Sequence, residues 1–472
     1  MSRSLTDRAR ITLGMLRLTP SDTASAPGRA QERHRRIAWT SATAATAKAT
    51  SVLAMLISIP LTLGYLGTER FGMWMAVSAI IAMLGFADLG LGNGVLNAVA
   101  HASGRGADAD IRRITANGIY MLCTIGAIIL LLFTVSYPHI PWASLLNVTT
   151  PIAAAEAGPV VLVLVMCFIA TLPLGITQKI QMGLQQGYWA NLWETLGSIG
   201  GLLGILVAIH LEAGLQWIAL AMAGTPVIFR GLNTLAFFGF QKADLLPRIR
   251  YIDPAIIRNL IRTGVLFFIL QTAVIIGFHS DNVIIARILG VEAVAGYDIA
   301  FRLSIIPTIL TGLVVAAQWP AYGEALARGD TDWIRQTFYR TLRLSLAITI
   351  PYAAVLGLWG DVIIRLWAGP EVIPSRSLLA GMAAWSVLLV TGNVVSVLLN
   401  GLHVVKFQAI CAMFMASGNI LLSIYLVEKI GVSGAIFGTL AAYTLFTLLP
   451  CWYFVPRHLD RLPAGISESG SA

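Results

Sequence analysis

Inside long apolar stretches a few ionisable side chains stand out: His279, Asp281, Asp298 and Arg302. An ionisable group in hydrocarbon is costly, so those that occur there are candidates for substrate or ion handling. A turn at Gly290 separates the two stretches that carry them. At 1.5 Å per helical residue, Asp281 and Asp298 lie about 13 and 12 Å from that turn, His279 about 16 Å and Arg302 about 18 Å. The two helices are therefore expected to bring all four to similar depth. Asp298 and Arg302 stand at i,i+4, share a helix face and can pair. The competing reading is structural: an Asp–Arg pair that locks two helices, with His279 bonded to a neighbour.

Other charges are shallower. Measured from Gly67, Lys48 and Asp88 lie about 28–31 Å along their helices, and Arg230 lies about 24 Å beyond Gly214. Lys and Arg at such positions snorkel to the interface or line a substrate path. Asp88 sits in the run GFADLGLGNG with Gly90 and Gly92. Such a run lets a helix unwind or approach a neighbour closely, so Asp88, Gly90 and Gly92 are conformational candidates, with tight packing as the alternative. Pro60, Pro173, Pro226, Pro307 and Pro351 fall inside the apolar stretches and are expected to kink them.

Catalytic signatures do not accompany these residues. No GxxxxGK[ST] loop, HExxH motif or paired-cysteine motif occurs, and Cys123, Cys167, Cys411 and Cys451 all lie in apolar segments. No catalytic residue, metal site or bound cofactor is expected, apart from a transported coupling ion.

The elements that must position these side chains follow from composition. Of 472 residues, 57% are hydrophobic and 12% charged, against about 25% charged in soluble domains. At roughly 20 apolar residues per crossing, the chain holds about 12 transmembrane helices and is expected to be an all-α polytopic membrane protein. The predicted spans cover residues 38–65, 72–95, 116–138, 158–179, 192–210, 214–239, 263–289, 294–318, 342–364, 377–399, 407–427 and 433–455. With the N-terminus inside, 24 of the 32 Lys and Arg fall on the inner side and 4 outside. That asymmetry predicts cytoplasmic termini and explains the net charge of +9 without nucleic acid.

The chain also looks duplicated. Gly183-Leu184, Gly200 and Gly214 recur as Gly401-Leu402, Gly418 and Gly431, and Leu66-Gly67-Thr68-Glu69 recurs as Leu289-Gly290-Val291-Glu292. Two pseudo-symmetric six-helix lobes are therefore expected. The boundaries read as a cytoplasmic segment 1–37, an N-lobe 38–239, a cytoplasmic linker 240–262, a C-lobe 263–455 and a tail 456–472. The duplication does not extend to the deep charges, because the positions matching them near 58 and 75 are uncharged.

Three stretches then resemble the oligosaccharide flippases of the multidrug/oligosaccharidyl-lipid/polysaccharide exporter superfamily. They are LGTERFGMWMAVSAIIAMLGFADLGLGNGVLNAVA (66–100), SDNVIIARILGVEAVAGYDIAFRLS (280–304) and WPAYGEALARGD (319–330). The resemblance implies a multi-pass protein of the inner membrane. By alternating access it would carry a polyprenyl-pyrophosphate-linked oligosaccharide to the outer leaflet. It implies Arg302, Lys48 and Arg230 as cations for the pyrophosphate, and Asp281 and Asp298, beside His279, as sites for a coupling H+ or Na+. Membrane lipid and a polysaccharide polymerase or export machinery are the partners it suggests. A drug exporter of the same superfamily is the first alternative. Such an exporter favours a cavity carboxylate in the first lobe, where span 1 offers Lys48 and no carboxylate. A polysaccharide polymerase or ligase is the second; the short external loops and the even duplication count against it.

Overall fold

The computed structural model describes residues 25–83, 87–146, 148–290, 292–368 and 374–461. Most of the expected N-terminal segment and the last 11 residues of the tail lie outside the described residues. Within them the secondary structure is helical throughout.

The first helix, α1 (Ala26–Met83), passes through Gly67 at φ 75° and ψ 173°. That conformation suits a residue without Cβ and ends one span where the next begins. Next come α2 (Leu91–Gly104), α3 (Asp108–Ser136), α4 (Pro151–Gly183), α5 (Gly187–His210) and α6 (Leu215–Gln241). The second half comprises α7 (Pro254–Leu289), α8 (Glu292–Ser304), α9 (Ile306–Ala327), α10 (Thr331–Ala368), α11 (Arg376–Gly401), α12 (Val405–Ile430) and α13 (Ser433–Asp460).

Eleven helical stretches among the described residues are long and apolar enough to cross a membrane. The expected span 72–95 runs through residues 84–86, which lie outside the description. Helices overshoot the predicted spans because polar turns continue them beyond hydrocarbon. At 33 residues α4 extends about 50 Å, against a hydrocarbon core of about 30 Å. Outward-facing leucines such as Leu131 and Leu132 on α3, 65% and 62% exposed, suit contact with acyl chains. Two expected kinks take another form. Pro226 and Pro307 occupy first turns of helical segments, where the missing N–H costs nothing, and a π-helical turn Leu220–Gly224 precedes Pro226.

The chain divides into two compact units between Val265 and Leu266. In the first, one cluster gathers Leu66, Trp74, Val160 and Leu215, and another gathers Val95, Ile114, Ile180 and Phe237. In the second, Ile285, Tyr297, Leu379 and Ile436 form one cluster, and Tyr322, Phe338, Leu398 and Val455 form another.

The duplication is visible in the backbone. Positive φ occurs at Gly67 and Gly290, Gly106 and Gly329, Gln185 and His403, and Glu212 and Gly431, four pairs 218–223 residues apart. The repeated glycines also do the same work. A Cβ on Gly183 would meet the Leu96 carbonyl at 2.9 Å, and one on Gly401 the Trp319 carbonyl at 2.8 Å. At Gly200 it would meet the Phe229 ring at 2.8 Å, and at Gly418 the Phe446 ring at 2.6 Å. Leu89 and Gly90 are the positive-φ pair without a counterpart among the described residues.

Candidate functional site

In the second unit Asp281 of α7 is buried, 1% exposed. Its Oδ2 accepts from Tyr297 Oη and Thr439 Oγ1, each at 2.7 Å. Its Oδ1 accepts from Ser423 Oγ at 3.0 Å and Asn419 Nδ2 at 3.3 Å. Helices α7, α8, α12 and α13 therefore converge on one carboxylate. Among the described residues no Lys or Arg pairs with it, so four neutral donors compensate its burial.

Counting protons shows a further property. Thr439 Oγ1 lies within reach of Asp281, of Asn419 Oδ1 at 2.9 Å and of the Ala435 carbonyl at 3.1 Å. Ser423 Oγ faces the same three acceptors, Asn419 Oδ1 at 3.1 Å and the Ala435 carbonyl at 3.2 Å. Each hydroxyl has one proton to donate. Asn419 also spends one N–H on the Gly277 carbonyl at 2.6 Å. Oxygen lone pairs thus outnumber the available protons, and the oxygen-rich set has the chemistry to take one more proton or a small hard cation.

The expected four-residue cluster is divided. Arg302 Nε donates to Asp298 Oδ2 at 2.6 Å, the i,i+4 pair the spacing predicts, and this pair lies on an exposed face of α8. Asp281 has its own partners and does not share them with that pair. The His279 side chain lies outside the described residues.

In the first unit Lys48 is exposed on α1. Arg230 is half-buried on α6, within electrostatic reach of Glu194. Ser58, at the position corresponding to Asp281, is buried and donates to the Met55 carbonyl of its own helix at 3.2 Å. Asp88 caps α2: its Oδ1 accepts from Gly90 N–H at 2.9 Å and its Oδ2 from Gly92 N–H at 3.2 Å. A Cβ on Gly92 would lie 2.9 Å from Asp88 Oδ2 and 3.4 Å from Lys179 Cε, so glycine is what this packing admits. Lys179 Nζ donates to Asn93 Oδ1 at 2.9 Å, which ties α4 to the first turn of α2.

At the Gly67 turn, Arg70 grips Glu156 through both carboxylate oxygens, Nε at 2.6 Å and Nη2 at 2.5 Å. Glu156 Oε1 also accepts the Leu215 N–H at 2.9 Å, so one carboxylate joins α1, α4 and α6. Glu69 accepts from the Thr149 N–H at 2.5 Å and the Thr150 N–H at 3.1 Å. A cavity of about 240 Å³ in the second unit, bordered by Asn393, Ser396, Gln408 and Tyr443, has no Asp, Glu, Lys, Arg or His in its wall among the described residues. It is smaller than the roughly 300–1,000 Å³ of ordinary ligand pockets.

The sequence pattern of the family described as polysaccharide biosynthesis protein matches residues 40–325, more than half of the chain. The chain belongs to that family. The MatE pattern also matches, over residues 267–425. A Yersinia pseudotuberculosis protein named for O-antigen export is 20% identical over 323 residues, 67% of this chain and 72% of its own length. An uncharacterized membrane protein of Methanocaldococcus jannaschii is 23% identical over 199 residues, 42% of this chain. The chain spans 39% of the length of that second relative.

Solved structures agree on the fold. A MATE structure in a bent conformation matches with a TM-score of 0.78 at 17% identity, over 91% of this chain and 96% of its own. A transporter of the MOP superfamily from Pyrococcus furiosus gives 0.75 at 16%, with the same coverage. An outward-facing multidrug resistance MATE family transporter gives 0.73 at 18%, again with the same coverage. The polysaccharide biosynthesis family protein is thus a multi-pass membrane transporter of the multidrug/oligosaccharidyl-lipid/polysaccharide exporter superfamily, with the two six-helix lobes expected of that fold.

Sequence reasoning on this family member missed Asn419, Ser423, Thr439 and Tyr297 around Asp281. One signal was present: Asn419 and Ser423 stand at i,i+4 within a long apolar stretch of α12 and so share a helix face. Thr439 carried none, since a single Thr hydroxyl in a span commonly bonds to its own backbone, and Tyr297 reads as one more aromatic of its span. The contacts of Lys179 and Glu156 carry no local signal either, because their partners lie in elements distant in sequence.

Proposed function

We propose that the protein moves a polyprenyl-pyrophosphate-linked oligosaccharide from the inner to the outer leaflet of the cytoplasmic membrane by alternating access. Both termini face the cytoplasm, and a proton or sodium ion bound at Asp281 drives the cycle. The observation that carries the coupling is the buried Asp281, which has no Lys or Arg partner among the described residues and a surplus of oxygen lone pairs around it. Family membership and the relative named for O-antigen export support the cargo.

The chemistry of such a cargo suits the available charges. A sugar and a pyrophosphate cannot cross hydrocarbon unaided, while the polyprenyl tail stays in lipid. Lys48, Arg230 and Arg302 are the cations for the pyrophosphate; Arg302 is already paired with Asp298, so phosphate would compete for its guanidinium. Downstream use of the glycan by a polymerase or export machinery belongs to the same reading.

A second reading, an ion-coupled multidrug exporter, is favoured by the MatE match and the MATE-like fold. Span 1 weighs against it through an exposed Lys48 and no carboxylate from residue 38 to 65. Purified protein in vesicles with a lipid-linked oligosaccharide, with and without a pH or sodium gradient, separates the two. Gradient-dependent appearance of the sugar in the opposite leaflet is expected. Extrusion of a cationic dye with no sugar movement overturns the flippase reading.

A further inference from the structure

The segment between α6 and α7 folds back onto the start of α3 and builds a basic cleft there. Asn117, 1% exposed, fixes it from both sides. Its Nδ2 donates to the Tyr251 carbonyl at 2.9 Å, and its Oδ1 accepts the Asp253 N–H at 3.1 Å. The buried Leu245 anchors the same segment in the hydrophobic cluster below. A 3-10 turn, Ile249–Tyr251, then carries Arg250 and Tyr251 toward Arg112 and Arg113 of α3.

The space they border measures about 420 Å³ and has three arginines in its wall against one carboxylate. That carboxylate, Asp253, already has work: Oδ1 accepts the Ala255 N–H at 2.9 Å to cap α7, and Oδ2 stands 3.8 Å from Arg113 Nη1. Arg250 Nη2 donates to Tyr251 Oη at 2.9 Å, with its guanidinium carbon 4.9 Å from the ring centroid. The Arg250 hydrogen bond and the surrounding guanidinium charges draw the Tyr251 phenol below its ordinary pKa. Arg250, bonded to Tyr251 Oη, and Arg112, whose Nε donates to the Asp108 carbonyl at 3.4 Å, have no carboxylate partner among the described residues, so two guanidinium charges stay uncompensated in a cleft whose backbone is pinned.

The flanking residues say what surrounds that cleft. Phe240 is 91% exposed, Ile249 75%, Leu246 45% and Ile252 44%. These apolar side chains alternate with Lys242, Arg248 and Arg250. Exposed apolar groups interleaved with basic ones suit the boundary between headgroups and acyl chains. We infer that Arg112, Arg113, Arg250 and Tyr251 form a binding site for the phosphodiester headgroup of an anionic membrane lipid, with Ile249 and Ile252 against its acyl chains. Guanidinium forks match phosphate oxygens in pairs, which a fixed cleft exploits better than a flexible loop. The site shares no residue with the Asp281 set and is independent of what the protein carries.

The test is native mass spectrometry of the full chain in detergent, titrated with phosphatidylglycerol or with phosphatidylcholine of the same acyl chains. Phosphatidylglycerol should be retained and phosphatidylcholine should not. The double variant Arg112→Gln/Arg250→Gln should bind phosphatidylglycerol more weakly by roughly 30-fold, the loss that two basic contacts bring. Arg328→Gln, at the C-terminal end of α9 and not in the cleft wall, should bind as wild type does. Equal retention of the two lipids by wild type, or an unchanged double variant, overturns the site. Inorganic phosphate is the second arm and needs no variant. Displacement of the lipid by millimolar phosphate, with no preference between lipids in its absence, assigns the cleft to a soluble phosphate and overturns the lipid.

Discussion

Thr439 Oγ1 lies 2.7 Å from Asp281 Oδ2, a contact between residues 158 apart in sequence. It is one of four hydrogen bonds that let a carboxylate persist in an apolar bundle. Asp281→Asn keeps the shape and removes the charge, so the protein should fold while gradient-driven transport is lost. Thr439→Val should lower the apparent affinity for the coupling ion about tenfold, as expected for losing one hydrogen bond to a charged group. Transport in vesicles across a series of sodium concentrations and pH values reads both. An Asp281→Asn protein that still responds to a gradient would remove Asp281 from coupling.

Arg302 lies 67% exposed in its pair with Asp298. Exposed pairs contribute about 0–1 kcal/mol, so Arg302→Ala should leave the unfolding temperature within a few degrees. Translocation of lipid-linked sugar should nevertheless fall severalfold if the guanidinium meets pyrophosphate. Full export from a normally inserted Arg302→Ala protein would exclude that role.

Glu69, in the turn beyond the first span, has its pKa held down to about 2. The Thr150 hydroxyl contributes most, followed by the Thr149 and Thr150 N–H groups. A carboxylate lowered in the folded state adds stability above its unfolded value of about 4.5 and loses it as pH falls toward 2. Thermal unfolding between pH 6 and pH 3 should therefore show an acid-dependent loss that is smaller in Glu69→Gln. Identical pH profiles would sink the assignment.

Gly401 packs where a Cβ would stand 2.5 Å from Tyr322 Cβ and 2.8 Å from the Trp319 carbonyl. Those neighbours belong to α9 and cannot swing aside. Gly401→Ala should cost about 1–3 kcal/mol, the range for overpacking. Gly239→Ala, with nothing within 4 Å of the added carbon, is the matched control. Unfolding in detergent should separate the two variants, and equal midpoints would contradict the packing.

Much of the architecture was legible in the residues because hydrocarbon imposes a coarse rule on every crossing. The repeated Gly183-Leu184 and Gly401-Leu402 found the duplication, and positive φ at Gln185 and His403, one residue later, gives its backbone form. The Asp298–Arg302 pair followed from helical periodicity alone. The grouping of Asp281 with that pair did not hold. Depth along a helix fixes one coordinate, while partners depend on the direction a side chain takes around the axis. The same blindness hid Glu156, whose three contacts come from elements distant in sequence.

By itself the sequence determined that this chain lives in a membrane, that its two halves repeat, and where its few deep charges lie along their helices. Apolar length, glycine spacing and basic asymmetry are local properties, readable without coordinates. Only the tertiary structure decided, among the described residues, which charges are ion-paired and which is held by neutral donors. Four helices must pack before Tyr297, Asn419, Ser423 and Thr439 surround Asp281, because short hydroxyl and amide side chains reach a carboxylate only across a close helix–helix contact.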